Sequence, residues 1–282
     1  MIDLHCHILP GLDDGAQTLE DSLAMARLAK SDGIEVIVAT PHLFKGGATL
    51  PEEDSFTGKK RELESALLGE RIQISLKMGA EVRVSHTLMS EVEKSRKRLV
   101  INDSAYMFVE FPSDHVFPSV RGLVFELMSA GVLPIIAHPE RNAVLARRPE
   151  LLYELVRMGA LAQANRGSLL GLYGRIAADA AGRFLENNLI HFIASDGHDT
   201  GSLAPILSDA VKRAELLVGS EVALALVDAN PRAVLEDREV PYLPSPVDPR
   251  KSKKSFHLRV RGLFKGEGRG RRGSLDNLDD VT

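Results

Sequence analysis

Short apolar runs that end in a histidine or an acid recur along this chain, spaced so that one helix fits between successive runs. Ile2-Asp3-Leu4 leads into His5 and His7, Glu35 to Ala39 into His42, and Ile74 to Met78 into Glu81. Tyr106 to Val109 ends at Glu110, Leu133 to Ala137 at His138, and His191 to Ser195 at Asp196 and His198. Seven short strand-like runs can be marked, near 2–5, 35–40, 72–79, 106–111, 133–137, 160–165 and 190–195. Most are dense in Ile, Val, Leu, Ala or Met rather than alternating, the pattern of strands covered on both faces of a parallel sheet.

Helical spacing fills the intervals. Thr18 with Asp21 three positions on forms a capping-box pattern ahead of Leu19, Leu23, Ala26 and Ala29, and Gly33 closes that stretch. Residues 51–70, 85–97, 118–130, 147–158 and 168–188 read likewise, and 203–229 as one or two closing helices before a turn at Asn230-Pro231-Arg232. Strands alternating with helices mean βαβ units. Seven of them predict an α/β fold, a (β/α)7 TIM-like barrel whose chemistry sits at the C-terminal ends of the strands. That is where the histidines and acids fall.

Composition narrows the setting. The chain has 282 residues, 44% apolar and 26% charged, ordinary for a globular protein. Cys6 is the single cysteine, so no intramolecular disulfide forms, and no apolar run approaches the ~18 residues of a membrane span. With no basic, apolar leader at Met1-Ile2-Asp3, the expected location is cytoplasmic. Charge is uneven. Residues 250–272 carry ten Lys or Arg against Glu267 alone, a balance of +9 that leaves −13 for the rest of a chain of net charge −4. An acidic body of residues 1–240 with a Pro-rich, then basic Gly/Arg-rich tail over 241–282 is the expected organisation, the tail disordered or weakly ordered. That tail could touch an anionic membrane weakly, bind nucleic acid through its Arg-Gly repeats, or stay solvated. No nucleic-acid partner is expected for the body, because polyanions need basic grooves.

In a strand, His5 and His7 point to one side and Cys6 to the other, so two imidazoles can share one ion. Asp196-Gly197-His198 repeats the i, i+2 geometry, and Asp13-Asp14-Gly15 places carboxylates in the first loop. A mixed N/O set without thiolate favours Mn, Zn or Fe. So many candidate ligands exceed the needs of one ion, and two or three ions sharing carboxylates could clamp a phosphoryl group. Arg141, three residues past His138, could grip phosphate oxygens bidentately or simply pair with Glu140. A thiolate mechanism is rejected, since position 12, where a C-x5-R motif needs its arginine, is Leu12. His86, His191 and His257 read as solvated, structural and tail residues. His115 lies in a loop near the strand ends, and Asp3 is structural or supports the ligands.

Together Met1-Ile2-Asp3-Leu4-His5-Cys6-His7, Asp13-Asp14-Gly15, Thr40-Pro41-His42, Gly79-Ala80-Glu81, Glu110-Phe111, Ala137-His138-Pro139-Glu140-Arg141 and Ser195-Asp196-Gly197-His198 resemble the polymerase-and-histidinol-phosphatase (PHP) superfamily. More closely they resemble its bacterial manganese-dependent protein tyrosine phosphatases of the CpsB/YwqE type, over about residues 1–237. The resemblance implies a distorted (β/α)7 barrel (the PHP fold) and hydrolysis of phosphotyrosine by metal-activated hydroxide. It implies one Mn2+ held by His5, His7, Glu81 and Asp196, a second by Glu81, Glu110 and His138, and a third by Asp14, His42 and His198, with Fe or Zn as alternatives. Arg141 matches the phosphate-positioning arginine, and His42 and Asp196 are expected to be needed for turnover with it. The implied substrate is the tail of a bacterial tyrosine autokinase controlling capsule or exopolysaccharide synthesis, and a homo-oligomer is implied as well. Relatives carry a further arginine shortly after the Asp-x-His motif, whereas Asp199 to Leu203 here contain none. The alternatives are a small-molecule phosphatase acting on a histidinol-phosphate-like substrate, and a recruitment module using the basic tail.

Overall fold

The computed structural model describes residues 1–45 and 53–251. Strand β1 (Ile2–Cys6) is buried along its whole length. Helix α1 (Leu19–Ser31) starts at the expected capping box: Thr18 Oγ1 accepts from Asp21 N at 3.1 Å while the Asp21 carboxylate accepts from Thr18 N at 2.9 Å. Strands β2 (Val36–Ala39) and β3 (His42–Leu43) precede helix α2 (Glu53–Gly69), and β4 (Ser75–Met78) and β5 (Glu81–Arg83) precede α3 (Leu88–Leu99). Then come β6 (Tyr106–Glu110), α4 (Val120–Ser129) and β7 (Leu133–Ala137). A 3-10 turn over Pro139–Arg141 leads to α5 (Ala143–Arg147), α6 (Pro149–Arg157), β8 (Leu161–Asn165), α7 (Arg166–Leu169), α8 (Gly174–Glu186) and β9 (Phe192–Ala194). Helices α9 (Ser208–Val218), α10 (Ser220–Ala225) and α11 (Ala229–Leu235) follow.

Every strand pairing among the described residues is parallel, as the unbroken apolar runs predict. The pairing divides into a three-stranded sheet, β1-β2-β4, and a six-stranded sheet, β3-β5-β6-β7-β8-β9. The division arises because the second and third runs each break in two. Pro41 has no N–H for a ladder, and Gly79 passes so close to β2 that a Cβ there would stand 3.1 Å from Val38 Cγ1. At the other edge Asp196 N donates to His5 O (2.9 Å) and His7 N to Gly197 O (2.8 Å), so the backbone after β9 lies against the end of β1.

Strand alternation sorts the core into two layers. Ile2, Leu4, Val38, Tyr106, Phe108, Ile135, Ala137, Leu161 and Phe192 pack together on one side of the strands. Their neighbours Ile37, Ala39, Met107, Val109, Ile136, Ala162 and Ile193 pack on the other side, in the larger cluster that includes the helices. Phe108 ends the first layer directly beneath the His5 ring, with centroids 4.9 Å apart.

The C-terminal reading needs one correction. Asn230-Pro231-Arg232, expected as a turn, lies inside α11, where proline in the first helical turn gives up an N–H that has no intrahelical acceptor anyway. Asn230 instead ties the chain together, its Nδ2 donating to His191 O (2.8 Å) and Tyr242 O (3.0 Å). Beyond it Val247 N donates to Asn187 O (2.9 Å), so the Pro-rich stretch packs on the body. The basic stretch after Lys251, including His257, lies outside the described residues.

His191 is structural, as expected. It is 1% exposed, and its Nδ1 accepts from Ala162 N at 3.1 Å. Burial, only partly offset by that bond, depresses its pKa from 6.5 to about 4. The unfolded chain therefore binds this proton first, and stability should fall as pH drops from 6.5 toward 4, by on the order of 3 kcal/mol across the window. Urea unfolding of wild type and His191→Asn at pH 7 and pH 4.5 checks this: the wild type should lose more stability than the variant.

Candidate metal centre

The site is built at the C-terminal ends of β1, β6, β7 and β9 and the first residues of β3 and β5. His5 and His7 leave β1 on one side, and their Nε2 atoms face each other at 3.2 Å. Their other nitrogens reveal what those facing atoms are. His5 Nδ1 meets Gln163 Oε1 at 3.2 Å, and Gln163 Nε2 donates to Ala164 O, which leaves the amide oxygen as the acceptor for a His5 Nδ1–H. His7 Nδ1 donates to Asp13 Oδ2 at 2.6 Å. When both rings are neutral, the two Nε2 atoms are lone pairs pointing at one another. Glu81 Oε2 stands 3.4 Å from His5 Nε2 and 3.5 Å from His7 Nε2, and Asp196 Oδ1 stands 3.4 Å from each.

Four electron-rich atoms in a fully buried spot repel unless a cation lies among them. Donors about 2.1 Å from a shared ion in tetrahedral arrangement stand about 3.4 Å apart, which is the separation found here. Further donors adjoin this set. His42, Glu81 and Glu110 offer donor atoms within 4.8 Å of one another, as do His7, Asp14, His42 and His198. His42 Nδ1 and Glu81 Oε2 are buried atoms without a hydrogen-bond partner, although they lie 2.8 Å apart, and Glu110 Oε2 has only the ion pair with Arg83 Nε at 3.1 Å. The residues fit a cluster of divalent cations, and the mix of imidazole and carboxylate without thiolate suits Mn, Fe or Zn.

Electrostatics agree with that fit. Burial opposes ionisation of Glu81 and Asp196, but the surrounding histidines outweigh it and hold both carboxyls well below the usual range. Burial also disfavours charge on His5 and His7, yet the neighbouring carboxylates reverse the balance and raise both. Burial and the charge of Glu81 push Glu110 up. A divalent cation competes with protons for exactly such donors, so affinity must weaken as pH falls.

Eight of the nine expected ligands fall into these three donor sets. The grouping differs in two respects from the expected one: His42 belongs to both outer sets, and His138 to neither, because its Nε2 turns onto Glu81 Oε1 at 2.7 Å. His138 and Asp196 both have left-handed backbones (φ 30° and 52°), a costly conformation for non-glycine residues that turns each side chain sharply at its strand end. Arg141 does not pair with Glu140. Its Nη1 donates to Asp196 Oδ2 at 2.6 Å and its guanidinium lies 4.3 Å from the centroid of Tyr173, while Glu140 is buried and accepts from Asn165 N. Cys6 is buried, with burial pushing its thiol up, so it supplies no thiolate. His86 and His115 are exposed.

Several supporting residues carried no sequence signal of their own. Gln163 orients His5, Asn165 Nδ2 donates to Asp196 Oδ2 at 2.6 Å, and Arg83 Nε lies 3.1 Å from Glu110 Oε2. Asp3, buried so that its carboxyl rises to about 6, accepts from Ser195 N and Oγ and so holds β1 beside β9. Asp13 was legible only as part of an acidic loop. It orients His7 and also accepts from His42 N at 3.0 Å. Gly15 is required there, because a Cβ would stand 2.0 Å from His7 O.

Residues 1–236 match the family described as "Capsular polysaccharide synthesis, CpsB/CapC". The chain belongs to this family. It is 38% identical over 256 residues to the tyrosine-protein phosphatase YwqE of Bacillus subtilis (strain 168), covering 91% of this chain and 99% of that protein. It is 36% identical to the putative tyrosine-protein phosphatase CapC of Staphylococcus aureus, over 70% of this chain and 77% of CapC. Among solved structures it superimposes with a TM-score of 0.83 and 37% identity on one from a study of YwqE and Streptococcus pneumoniae CpsB, described as metal-dependent tyrosine phosphatases. That match covers 88% of this chain and 99% of the other.

Outer partners of metal-binding histidines typically contribute 10–100-fold to affinity. Asp13→Asn should therefore weaken Mn2+ binding by about that factor without unfolding the protein, as calorimetric titration of the chelator-stripped protein would show.

Proposed function

We propose that this protein is a metal-dependent phosphatase of phosphotyrosyl proteins, acting on a bacterial tyrosine autokinase in capsule or exopolysaccharide synthesis. The observation that carries the reading is the pair of facing imidazole Nε2 atoms enclosed with Glu81 and Asp196, a buried donor set that fits a divalent cation. In this reading His5, His7, Glu81 and Asp196 would hold one Mn2+, and His42, Glu81 and Glu110 a second, with His138 holding Glu81 from behind. Such ions supply Lewis-acid charge for phosphoryl oxygens and make water nucleophilic at neutral pH. The two sheets are read as a distorted seven-stranded barrel, supported by the backbone bonds between the end of β1 and the residues after β9. A cytoplasmic setting is part of the same reading. No helix among the described residues is long and apolar enough to cross a membrane.

The protein's own groups divide the remaining work. Arg141 spends one N–H on Asp196, and a guanidinium has five, so donors remain for equatorial phosphoryl oxygens. Tyr173 beneath it restricts the guanidinium plane. Asn165 and Arg141 both donate to Asp196 Oδ2, which keeps Oδ1 turned to the two histidines. A groove of about 320 Å³ opens from Glu110 and His138 along Arg141, Ala143, Ala146, Tyr173 and Ile176. Its polar end can take a phosphoryl group and its apolar walls an aryl ring, and its rim is open, with Ile176 62% exposed. An open groove suits a flexible peptide better than an enclosed metabolite.

Two measurements test this. Chelator-stripped protein should hydrolyse a phosphotyrosyl peptide only after Mn2+ is restored, with Asp196→Ala at background and Arg141→Ala reduced about 10²–10³-fold in kcat. Full peptide hydrolysis by stripped protein, or by Asp196→Ala, would end the reading, and activity confined to histidinol phosphate would move the chain to small-molecule chemistry. Ile176→Asp, at an exposed position, should lower kcat/KM on the peptide about tenfold, the equivalent of roughly 1.4 kcal/mol of ring contact. Bound metal should stay unchanged.

A further inference from the structure

A second groove opens at the opposite end of the strands from the metal centre. Its walls are the last turn of α6, the start of β8 and the segment 243–246, and His191, just before β9, lines it as well. The space is about 430 Å³, the scale of a small-molecule site. The wall made by 243–246 is fastened at both ends. Asn230 Oδ1 accepts from Tyr242 N and its Nδ2 donates to Tyr242 O, each at 3.0 Å. On the other side Asn188 Nδ2 donates to Ser245 O at 3.0 Å and Val247 N to Asn187 O at 2.9 Å.

The chemistry of this groove is one-sided. His191 Nδ1 accepts from Ala162 N, which puts the ring proton on Nε2. With Nδ1 turned onto β8, the Nε2–H edge faces away from that strand. It belongs to a side chain 1% exposed and has no acceptor in the protein, a condition rare for a buried N–H. Among the described residues Arg157 pairs with no carboxylate, and its guanidinium lies 5.7 Å from the centroid of the Tyr153 ring. No Asp or Glu lines the groove, and each polar side chain that does, Tyr153, Arg157, His191 and Ser245, can donate. Beside these donors the surface is apolar: Leu243 stands 57% exposed between them and Pro244 and Pro246.

We infer that this groove is a binding site for a small molecule that carries an oxyanion on an apolar body. The oxyanion takes the His191 Nε2–H and the Arg157 guanidinium, and Leu243 with the two prolines covers the apolar part. A carboxylate and a phosphate-like group share that chemistry. The inference goes beyond the phosphatase reading and uses no part of it, since the groove and the metal centre lie at opposite ends of the strands. The ligand grips the near ends of β8 and β9, whose far ends carry Asn165 and lead into Asp196.

The test reads the His191 ring directly. Zn2+-loaded protein, isotopically labelled at the histidine nitrogens, is titrated with benzoate, phenylphosphonate or benzyl alcohol and followed by NMR, the His191 signal being assigned by its loss in His191→Asn. Benzoate or phenylphosphonate should shift the Nε2–H signal saturably, and whichever does so names the carboxylate or the phosphate-like group. Benzyl alcohol, with the same apolar body and no charge, should leave the signal in place. Arg157→Gln, at an exposed position that folding does not depend on, should raise the dissociation constant about tenfold by removing one charge-assisted bond. No shift with either anion at millimolar concentration, an equal shift with benzyl alcohol, or an unchanged dissociation constant in Arg157→Gln would overturn the inference.

Discussion

The mutual repulsion of four donor atoms, His5 Nε2, His7 Nε2, Glu81 Oε2 and Asp196 Oδ1, governs the organisation of this molecule. The two imidazole nitrogens stand 3.2 Å from each other and 3.4–3.5 Å from each carboxylate oxygen, in a place water does not reach. Isolated side chains would swing apart, so every one is pinned from behind. Gln163 and Asp13 each take one imidazole N–H, His138 holds the outer oxygen of Glu81, and Asn165 with Arg141 holds that of Asp196. Buried polar networks of this kind are stable only when every member is satisfied, and here the inner atoms form a donor set that fits a cation.

The surrounding backbone serves the same end. Asp3 and Ser195 tie β1 to β9, which brings the His-x-His and Asp-x-His segments side by side across 190 residues of chain. Left-handed turns at His138 and Asp196 aim those side chains, and glycines at 15 and 197 admit a neighbouring backbone or side chain where a Cβ would collide. Strain of this sort persists only where the rest of the structure over-determines it. Beneath the donors the apolar layer around Phe108 supplies a rigid floor, since a close-packed interior resists the small displacements that would release the ligands.

From that buried set the site grades outward. Glu110 is nearly buried and paired with Arg83, Asp14 is half exposed, and the groove beyond Arg141 and Tyr173 opens to solvent. Charge grades with it, from two carboxylates at the centre to one at the rim. The interior therefore attracts divalent cations, while the rim offers positive charge to an anionic substrate.

Local chemistry determined much of this protein without reference to the fold. Apolar runs ending in His, Asp or Glu announced parallel strands and their active ends, because a strand buried on both faces must be apolar throughout and can change character only where it stops. The capping box at Thr18 and the paired spacing of His5 with His7 and of Asp196 with His198 were readable for the same reason: each depends on neighbours within four residues. What lay beyond the sequence depends on contacts between distant segments. Arg141 chose Asp196 over its neighbour Glu140, Asn230-Pro231 entered a helix, and Gln163, Asn165 and Tyr173 became parts of the site. None of these has a local pattern. Only the tertiary structure, by closing segments as far apart as β1 and β9 around one set of repelling charges, decided which residues would answer them.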